Sequence, residues 1–276
     1  MRSHGSAATT CVVAILLGCG GASHTAPHPV ELARYLPYHA GYRGVSVGEI
    51  EQQFNGQVVR NEFGTEFFVT AEVVESPSEL RATLVLDSIA RVRGAGSVNS
   101  SGEANSALGT TFTGRLASTG EILDFQGDLP NGALARELVD RLFRQFFPRI
   151  PAHGARAGEH WVDTLETTAV VGGVNNKVRT VNSHSAAGWL THAGRRALQI
   201  VTVSRYAFSG SGVQAGQEFT LEGQGHRLAQ HYIGADGSYL GYTATDTSHA
   251  EAKLTKLGLT IPVLQTRFDT LALTAH

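Results

Sequence analysis

Alternation of apolar and polar residues dominates this chain after Tyr42. Every second residue is apolar between residues 67 and 73, and again between residues 80 and 86. Because successive side chains of a β-strand point to opposite faces of a sheet, this period of two predicts half-buried strands. The alternation returns after Trp161, in segments 177–184, 197–208, 217–224, 227–233, 239–247, 251–254 and 263–273. The sequence therefore predicts a mainly β fold, either a large curved antiparallel sheet or an open half-barrel.

One segment has the periodicity of a helix instead. Leu134, Leu138, Leu142 and Phe146 recur every four residues, with charged residues between them. Side chains at this spacing share one face of an α-helix. The pattern predicts an amphipathic helix over about residues 130–147, packed on the sheet through its apolar stripe.

Glycines and turn residues indicate how the strands are connected. The chain has 32 glycines spread between the short apolar runs, which is typical of many turns. Residues 118–120 and 235–237 each end in glycine and predict hairpin turns. No long linker follows Pro151, so residues 41–276 are predicted to form a single β-rich domain with the helix between two meanders.

Composition excludes some classes of partner and cross-link. The 22 basic and 24 acidic residues nearly balance, so no broad electrostatic field favours nucleic acid. The two cysteines, Cys11 and Cys19, both lie near the start of the chain. No disulfide is therefore predicted in the folded body, and no motif predicts a cofactor.

The first nineteen residues resemble a known targeting signal. Arg2 precedes an apolar run over residues 7–17, and residues 16–19 read Leu-Leu-Gly-Cys. This ending resembles the lipobox of bacterial lipoproteins. The resemblance implies that residues 1–18 are a signal peptide, that cleavage precedes Cys19, and that its thiol carries a lipid, with palmitate among the acyl chains. The alternative is an ordinary secretory signal in which Cys19 is unmodified.

The residues after the lipobox predict a tether and a location. Residues 20–29 contain only Gly, Ala, Ser, Thr, Pro and His, so a flexible tether is predicted over residues 19–40. Gly20, rather than an acidic residue, follows the cysteine. By resemblance to Gram-negative lipoproteins, this implies the inner leaflet of the outer membrane, facing the periplasm, with the membrane as a partner through the lipid anchor.

Residues 44–48 have the spacing of a hydrolase nucleophile elbow centred on Ser46. Such an elbow needs a strand followed by a helix, with aspartate and histidine partners further along the chain. The downstream sequence predicts strands almost throughout. A turn-rich sheet edge therefore explains these glycines better than an elbow, and a serine hydrolase using Ser46 is the weakest candidate function.

The twelve histidines raise the question of a metal site. None belongs to an HExxH motif or to a cluster of cysteine and histidine. His226 and His231 are five residues apart, which places them on opposite faces of one strand. These histidines, with His184 and His192, are predicted to face solvent. No metal ligand and no catalytic residue is predicted, and the chain is predicted not to be an enzyme.

The residues that precede Trp161 carry a second resemblance. Pro148, Pro151 and Gly158 precede it at a spacing similar to the proline, glycine and tryptophan junction of several uncharacterised β-rich bacterial lipoprotein families. Trp161 is predicted to close the core beneath the helix, or alternatively to contact a ligand.

A lipidated N-terminus, a long antiparallel meander and one amphipathic helix together resemble the periplasmic lipoprotein carriers of the LolA and LolB type. The resemblance implies a cavity for acyl chains between helix and sheet. Its predicted lining is Leu134, Leu138, Leu142, Phe146, Phe67, Val69, Leu84, Leu86 and Trp161. The alternative is that the same residues fill a dry core.

These patterns support a ranked set of functions. The first is a membrane-anchored envelope lipoprotein without catalysis that binds a lipid or another hydrophobic ligand. The second is an envelope scaffold that docks a protein partner through an exposed strand edge. The serine hydrolase is the third.

Overall fold

The computed structural model describes residues 31–54, 56–77, 79–92, 108–127, 142–143, 145–171, 174–214 and 217–274. Residues from Glu31 onward belong to one compact unit. The folded body begins before the predicted boundary at residue 41, because Ala33 forms a β-bridge with Ala155 and the Tyr35 side chain is buried. Burial of this aromatic ring favours attachment of the segment to the sheet. The predicted tether therefore extends too far along the chain.

Strands make up nearly all of the regular structure. They are β1 (Tyr38–Phe54), β2 (Gln57–Ser76), β3 (Glu79–Arg91), β4 (Thr111–Leu116), β5 (Ile122–Gln126), β6 (His160–Val171), β7 (Val174–His192), β8 (Arg195–Gln214), β9 (Gln217–Gly234), β10 (Tyr239–Leu254) and β11 (Leu259–Leu273). A 3-10 turn, Thr255–Leu257, joins β10 to β11.

All the strands belong to one antiparallel sheet. Its order is β5-β4-β3-β2-β1-β11-β10-β9-β8-β7-β6, so two meanders meet where β1 pairs with β11. Within the described residues the sheet is open, with β5 and β6 as its edges. The prediction of a mainly β fold with one large antiparallel sheet is confirmed.

The core lies on one face at one end of this sheet, and we call that face the inner face. Tyr42, Val69, Leu84 and Ile200 are buried there. Segments 31–36 and 142–155 cover them and contribute their own buried side chains, which include Tyr35, Phe143, Phe146, Phe147 and Ile150. Aromatic edges meet aromatic faces in this layer, as where Phe146 stands at 87° to Tyr42 with ring centroids 5.2 Å apart.

The predicted helix over residues 130–147 lies largely outside the described residues. Within the described part, residues 142 and 143 are helical. Leu142 is half-buried against the core, and Phe146 is buried in it. Over the described ranges, no helix has both the length and the apolarity that a membrane crossing requires.

The glycines were predicted to mark turns, but several of them lie inside strands of the sheet. Inside the strands, aromatic rings lie on the glycines of neighbouring strands. These pairs are Phe67 on Gly44, Phe63 on Gly48, Phe208 on Gly223 and Tyr206 on Gly225. A β-carbon at Gly44 would lie 2.0 Å from the Phe67 ring, so only glycine fits beneath it.

Because the strands continue through these glycines, they are longer than predicted. Segments 217–224 and 227–233, predicted as two strands, form the single strand β9. Segments 239–247 and 251–254 likewise form β10. The two predicted turns are confirmed, since Gly120 and Gly237 have φ angles of 85° and 80° and donate N–H bonds that close their turns.

Candidate functional site

Polar side chains cross the inner face in two neighbouring rows, just beyond the apolar core. Both rows cross the sheet in the strand order β1, β11, β10, β9, β8, β7 and β6. The first row is Ser46, Asp269, Ala244, Ala229, Thr202, His184 and Trp161. The second row is Gly48, Arg267, Asp246, Arg227, Ser204, Asn182 and Asp163. We call the polar members of these rows the polar belt. Antiparallel register brings them together from seven strands.

Two arginines and two aspartates form the centre of the polar belt. Arg227 Nη1 lies 3.1 Å from Asp269 Oδ2, and Arg267 Nη2 lies 3.3 Å from Asp246 Oδ2. The Ser46 hydroxyl donates to Asp269 Oδ1 at 2.7 Å. Charges of opposite sign are therefore paired within the sheet, as burial of ionised groups requires.

Two aromatic residues border this charged centre. The Tyr206 hydroxyl donates to Asp246 Oδ1. Burial raises the pKa of Tyr206, and so does its bond to the aspartate, so the phenol remains a donor. On the other side, the Arg227 guanidinium lies over the Tyr242 ring, 5.5 Å from its centroid. The centre thus holds its cations between carboxylates and aromatic rings.

A second polar cluster lies toward the β6 edge. His184 Nε2 donates to Asp163 Oδ2 at 2.8 Å, and His184 Nδ1 lies 2.9 Å from the Thr202 hydroxyl. Asn182 donates to the other oxygen of Asp163 at 2.7 Å. The Trp161 ring stacks on the His184 ring with centroids 5.1 Å apart, and its Nε1 donates to the Arg149 carbonyl.

This aspartate, histidine and hydroxyl set resembles a relay in composition but is closed to substrate. Thr202 and His184 are each only 6% exposed. Burial alone would raise the pKa of Asp163, but the bonds from His184 and Asn182 outweigh it and keep the pKa low. The cluster is therefore an ionised carboxylate with satisfied partners, which fixes the register of three strands.

The prediction that the histidines face solvent is wrong for two of them. His184 is buried, and His231 lies on the inner face with its Nδ1 3.0 Å from the Tyr239 hydroxyl. His226 lies on the outer face of the same strand, as the five-residue spacing predicted. Burial, followed by the nearby Arg227 and His184, lowers the pKa of His231 to about 3.

The low pKa of His231 predicts a loss of stability in acid. Between the unfolded value of 6.5 and the folded value of about 3, the unfolded chain binds a proton that the folded chain excludes. We expect the free energy of unfolding to fall across this window as the pH decreases, with a slope of up to about 1.4 kcal/mol per pH unit. Urea unfolding at a series of pH values measures it.

The matched variant for this measurement is His231→Gln, which removes the titrating group and keeps a polar side chain. Its slope should be smaller over the same window. The Asp163 contribution remains in both proteins and is lost from its ordinary pKa of 3.8 downward, as the pH falls through its depressed pKa, so it affects both slopes alike at the acid end of the window. Equal slopes for the parent and His231→Gln would show that His231 is already protonated in the folded state.

One further row, which contains Gln265, Ser248, Gly225, Tyr206 and Thr180, follows the polar belt, and beyond it the inner face becomes apolar again. Three further rows cross the sheet in the strand order β11, β10, β9, β8 and β7. The first is Val263, Ala250, Gly223, Phe208 and Val178, and the second is Ile261, Ala252, Leu221, Gly210 and Asn176. The third is Leu259, Leu254, Phe219, Gly212 and Val174. We call these the distal rows. They contain no charged residue. Phe208, Leu221 and Leu254 are half-buried rather than buried, so apolar surface remains open to solvent.

The opposite side of the same strand stretches is charged and exposed. It holds a shallow cavity of about 420 Å³ whose lining includes Lys177, Glu222, Glu251 and Lys253. Lys253 Nζ lies 3.5 Å from Glu251 Oε2. The four charged side chains around this outer cavity make it a poor site for a hydrophobic ligand.

The predicted cavity lining is divided between the core and the undescribed part of the chain. Among the described residues, the structure brings these side chains together in one packed cluster. It contains Phe67, Val69, Leu84, Leu86 and Phe146, each at most 5% exposed, with Leu142 and Trp161 packed against it. Leu134, Leu138 and Cys19 lie outside the described residues. The described members fill the core and leave little surface for a ligand.

Ser46 lies in the middle of β1 rather than at a turn. The strand continues through Gly44 and Gly48 without entering a helix, so residues 44–48 do not form an elbow. Asp269, and not a histidine, accepts the hydrogen bond of the Ser46 hydroxyl. This arrangement holds the hydroxyl as a donor and does not activate it as a nucleophile.

The charged centre of the polar belt was not predicted from the sequence. A signal was present: Arg227, Asp246, Arg267 and Asp269 occupy strand positions where alternation would place inward side chains. Arg227 and Asp246 lie on strands other than β11, which carries Arg267 and Asp269, so the pairing between strands could not be predicted from the sequence.

The described residues contain no group of three or more His, Cys, Asp or Glu side chains arranged to hold a metal ion. No protein-family model and no curated protein sequence matches this chain.

Proposed function

We propose that this chain is an envelope lipoprotein, anchored through Cys19, that binds a hydrophobic ligand on the distal rows of its inner face. The observation that supports ligand binding most directly is the asymmetry of the sheet. Over the same strand stretches the inner face is uncharged and half-exposed, while the outer face carries Lys177, Glu222, Glu251 and Lys253. The lipobox resemblance of residues 16–19 supports the anchor.

Apolar surface on a sheet is costly in water, at about 25 cal/mol for each Å² left exposed. Phe208, Leu221 and Leu254 would each gain by contact with an aliphatic chain. The Phe208 ring lies on Gly223 of the neighbouring strand, so it packs close to the backbone and continues the apolar surface of the distal rows. An acyl chain fits an apolar surface of this kind.

Adjacent residues on opposite faces provide a matched test. Leu221 points to the inner face and Thr220 to the outer face of β9. We expect the full chain carrying Cys19→Ala, which has no lipid anchor, to bind the neutral fluorophore N-phenyl-1-naphthylamine. Leu221→Asp should weaken binding by about tenfold or more, since a lost leucine contact is worth about 1.5 kcal/mol or more.

Thr220→Asp serves as the control, because it adds the same charge one residue away on the other face. It should leave the affinity unchanged. The absence of binding by the parent, or equal loss in both variants, would contradict the proposal. Native mass spectrometry of the parent purified from cells should show a co-purifying lipid.

A second candidate, docking of an envelope protein, is favoured by the β6 edge. This strand spans 12 residues, and Val162 on it is 66% exposed. A partner strand could add to such an edge through main-chain hydrogen bonds. Val162→Pro would block that pairing and leave fluorophore binding intact, which separates the two functions.

A further inference from the structure

The charged centre of the polar belt has more hydrogen-bond donors than its own acceptors can take. Arg227 and Arg267 each carry five N–H groups. Their acceptors, the carboxylates of Asp246 and Asp269, also receive the hydroxyls of Tyr206 and Ser46. The net charge of the four ionised groups is zero, so the excess lies in donors rather than in charge.

One of these donors is visibly unsatisfied. Arg267 Nε lies 3.2 Å from Asp269 Oδ2 but is not aligned for a hydrogen bond. Among the buried side-chain nitrogen and oxygen atoms of the described residues, Arg267 Nε alone has no hydrogen-bond partner. Buried donors without acceptors are rare, because each loses its hydration without compensation.

The position of the arginines relates this surplus to the distal rows. Arg227 follows Gly225 and Gly223 along the inner face of β9, so it stands between the core and the open apolar surface. Its side chain is 24% exposed, the largest value among the four charged residues. A ligand lying on the distal rows with one end toward the core would cross the Tyr206 ring, which lies on Gly225, and bring that end to Arg227.

We propose that the ligand is an amphiphile whose acyl chain lies on the distal rows and whose head presents acceptor oxygens to Arg227 and Arg267. This inference rests on the function proposed above and specifies its ligand. A fatty-acid carboxylate and a lipid phosphate share the required chemistry, since both accept paired N–H bonds from a guanidinium. A plain hydrocarbon would leave the surplus donors unsatisfied.

Competition against the bound neutral fluorophore tests the head separately from the tail. The competitors are oleate, an oleoyl lysophosphatidylglycerol and 1-octadecene, used with the full chain carrying Cys19→Ala. The test variant is Arg227→Gln combined with Asp269→Asn, which removes one cation and one anion together and avoids an unpaired buried charge. Arg267→Gln with Asp246→Asn is a second such pair.

We expect the paired variants to bind the fluorophore and 1-octadecene like the parent, which also shows that they fold. Their affinity for at least one head-bearing competitor should fall about tenfold or more, as for loss of a hydrogen bond to a charged group. Loss confined to oleate would indicate a carboxylate ligand, and loss confined to the lysolipid a phosphate. Arg205→Gln, at an exposed outer position of β8, should change none of these values.

Unchanged affinity for both head-bearing competitors would overturn the proposed head site while leaving the hydrophobic site intact. Equal loss for 1-octadecene would overturn it as well, since the effect would then not depend on the head. A parent that binds no fluorophore would contradict the proposed function itself.

Discussion

Replacing Cys19 with alanine is expected to abolish palmitate incorporation and to release the protein from the membrane fraction of a Gram-negative host. The reason is the number of buried methylenes that acylation supplies, each worth about 0.8 kcal/mol of membrane affinity. One acyl chain anchors weakly, but the several chains implied by the lipobox resemblance anchor firmly. Metabolic labelling with palmitate, followed by fractionation of the cells, measures both effects.

Cys11 provides the matched control, because it is the other cysteine of the chain and lies within the implied signal peptide. Cys11→Ala should retain label and membrane attachment. Label that persists in Cys19→Ala would show that the lipobox resemblance is misleading. A secreted, unlabelled parent would indicate an ordinary secretory signal.

Replacing Asp269 with alanine is expected to lower the free energy of unfolding by about 3–5 kcal/mol. Asp269 is 6% exposed and has Arg227, Arg267 and Ser46 around its carboxylate. Its removal would leave two guanidinium groups in the sheet with Asp246 as their remaining anion. Breaking a buried pair costs far more than the pair itself contributes, because the stranded charge has lost its hydration.

Urea unfolding of the full chain carrying Cys19→Ala measures this loss. The comparison is Glu66→Ala, which breaks the exposed pair with Arg43 on the outer face and should cost at most about 1 kcal/mol. Addition of Arg227→Met to Asp269→Ala should recover part of the stability. If the two single variants were equally stable, the charged centre would be hydrated in solution rather than buried.

The strands could be predicted because their cause is local. Over residues 67–73 of β2 and 82–86 of β3 every second side chain is buried, and a period of two in apolar residues predicts this directly. The glycines were misinterpreted because their cause is not local. Gly44 and Gly225 lie in strands since aromatic rings on neighbouring strands occupy the space where a β-carbon would be.

One tight turn escaped prediction for a related reason. Residues 193 and 194 connect β7 to β8 with φ angles of 49° and 73°. Both residues of this type of hairpin need positive φ, which Asn-Gly or Asp-Gly normally supplies. Here alanine takes the first position, and the register of two long strands maintains it at a cost of about 1 kcal/mol or more. No local residue preference indicates such a site.

The candidate site was only partly accessible from sequence. Apolar residues such as Val69 and Leu84 were correctly assigned to one face, but the sequence could not tell that segments 31–36 and 142–155 cover them. The distal rows and the polar belt follow from register across strands that are distant in the chain. Register is set by cross-strand packing and turn geometry together, so it emerges only once the sheet is assembled.

The order of the strands also constrains when the sheet can be completed. The first strand pairs with the second and with the last, Tyr42 opposite Leu273, while every other neighbour in the sheet is the next strand along the chain. The chain is synthesised from its N-terminus. One edge of β1 therefore has no hydrogen-bonding partner until β11 has been synthesised. Such late closure favours slow folding and leaves a long interval in which that edge can pair with the wrong chain.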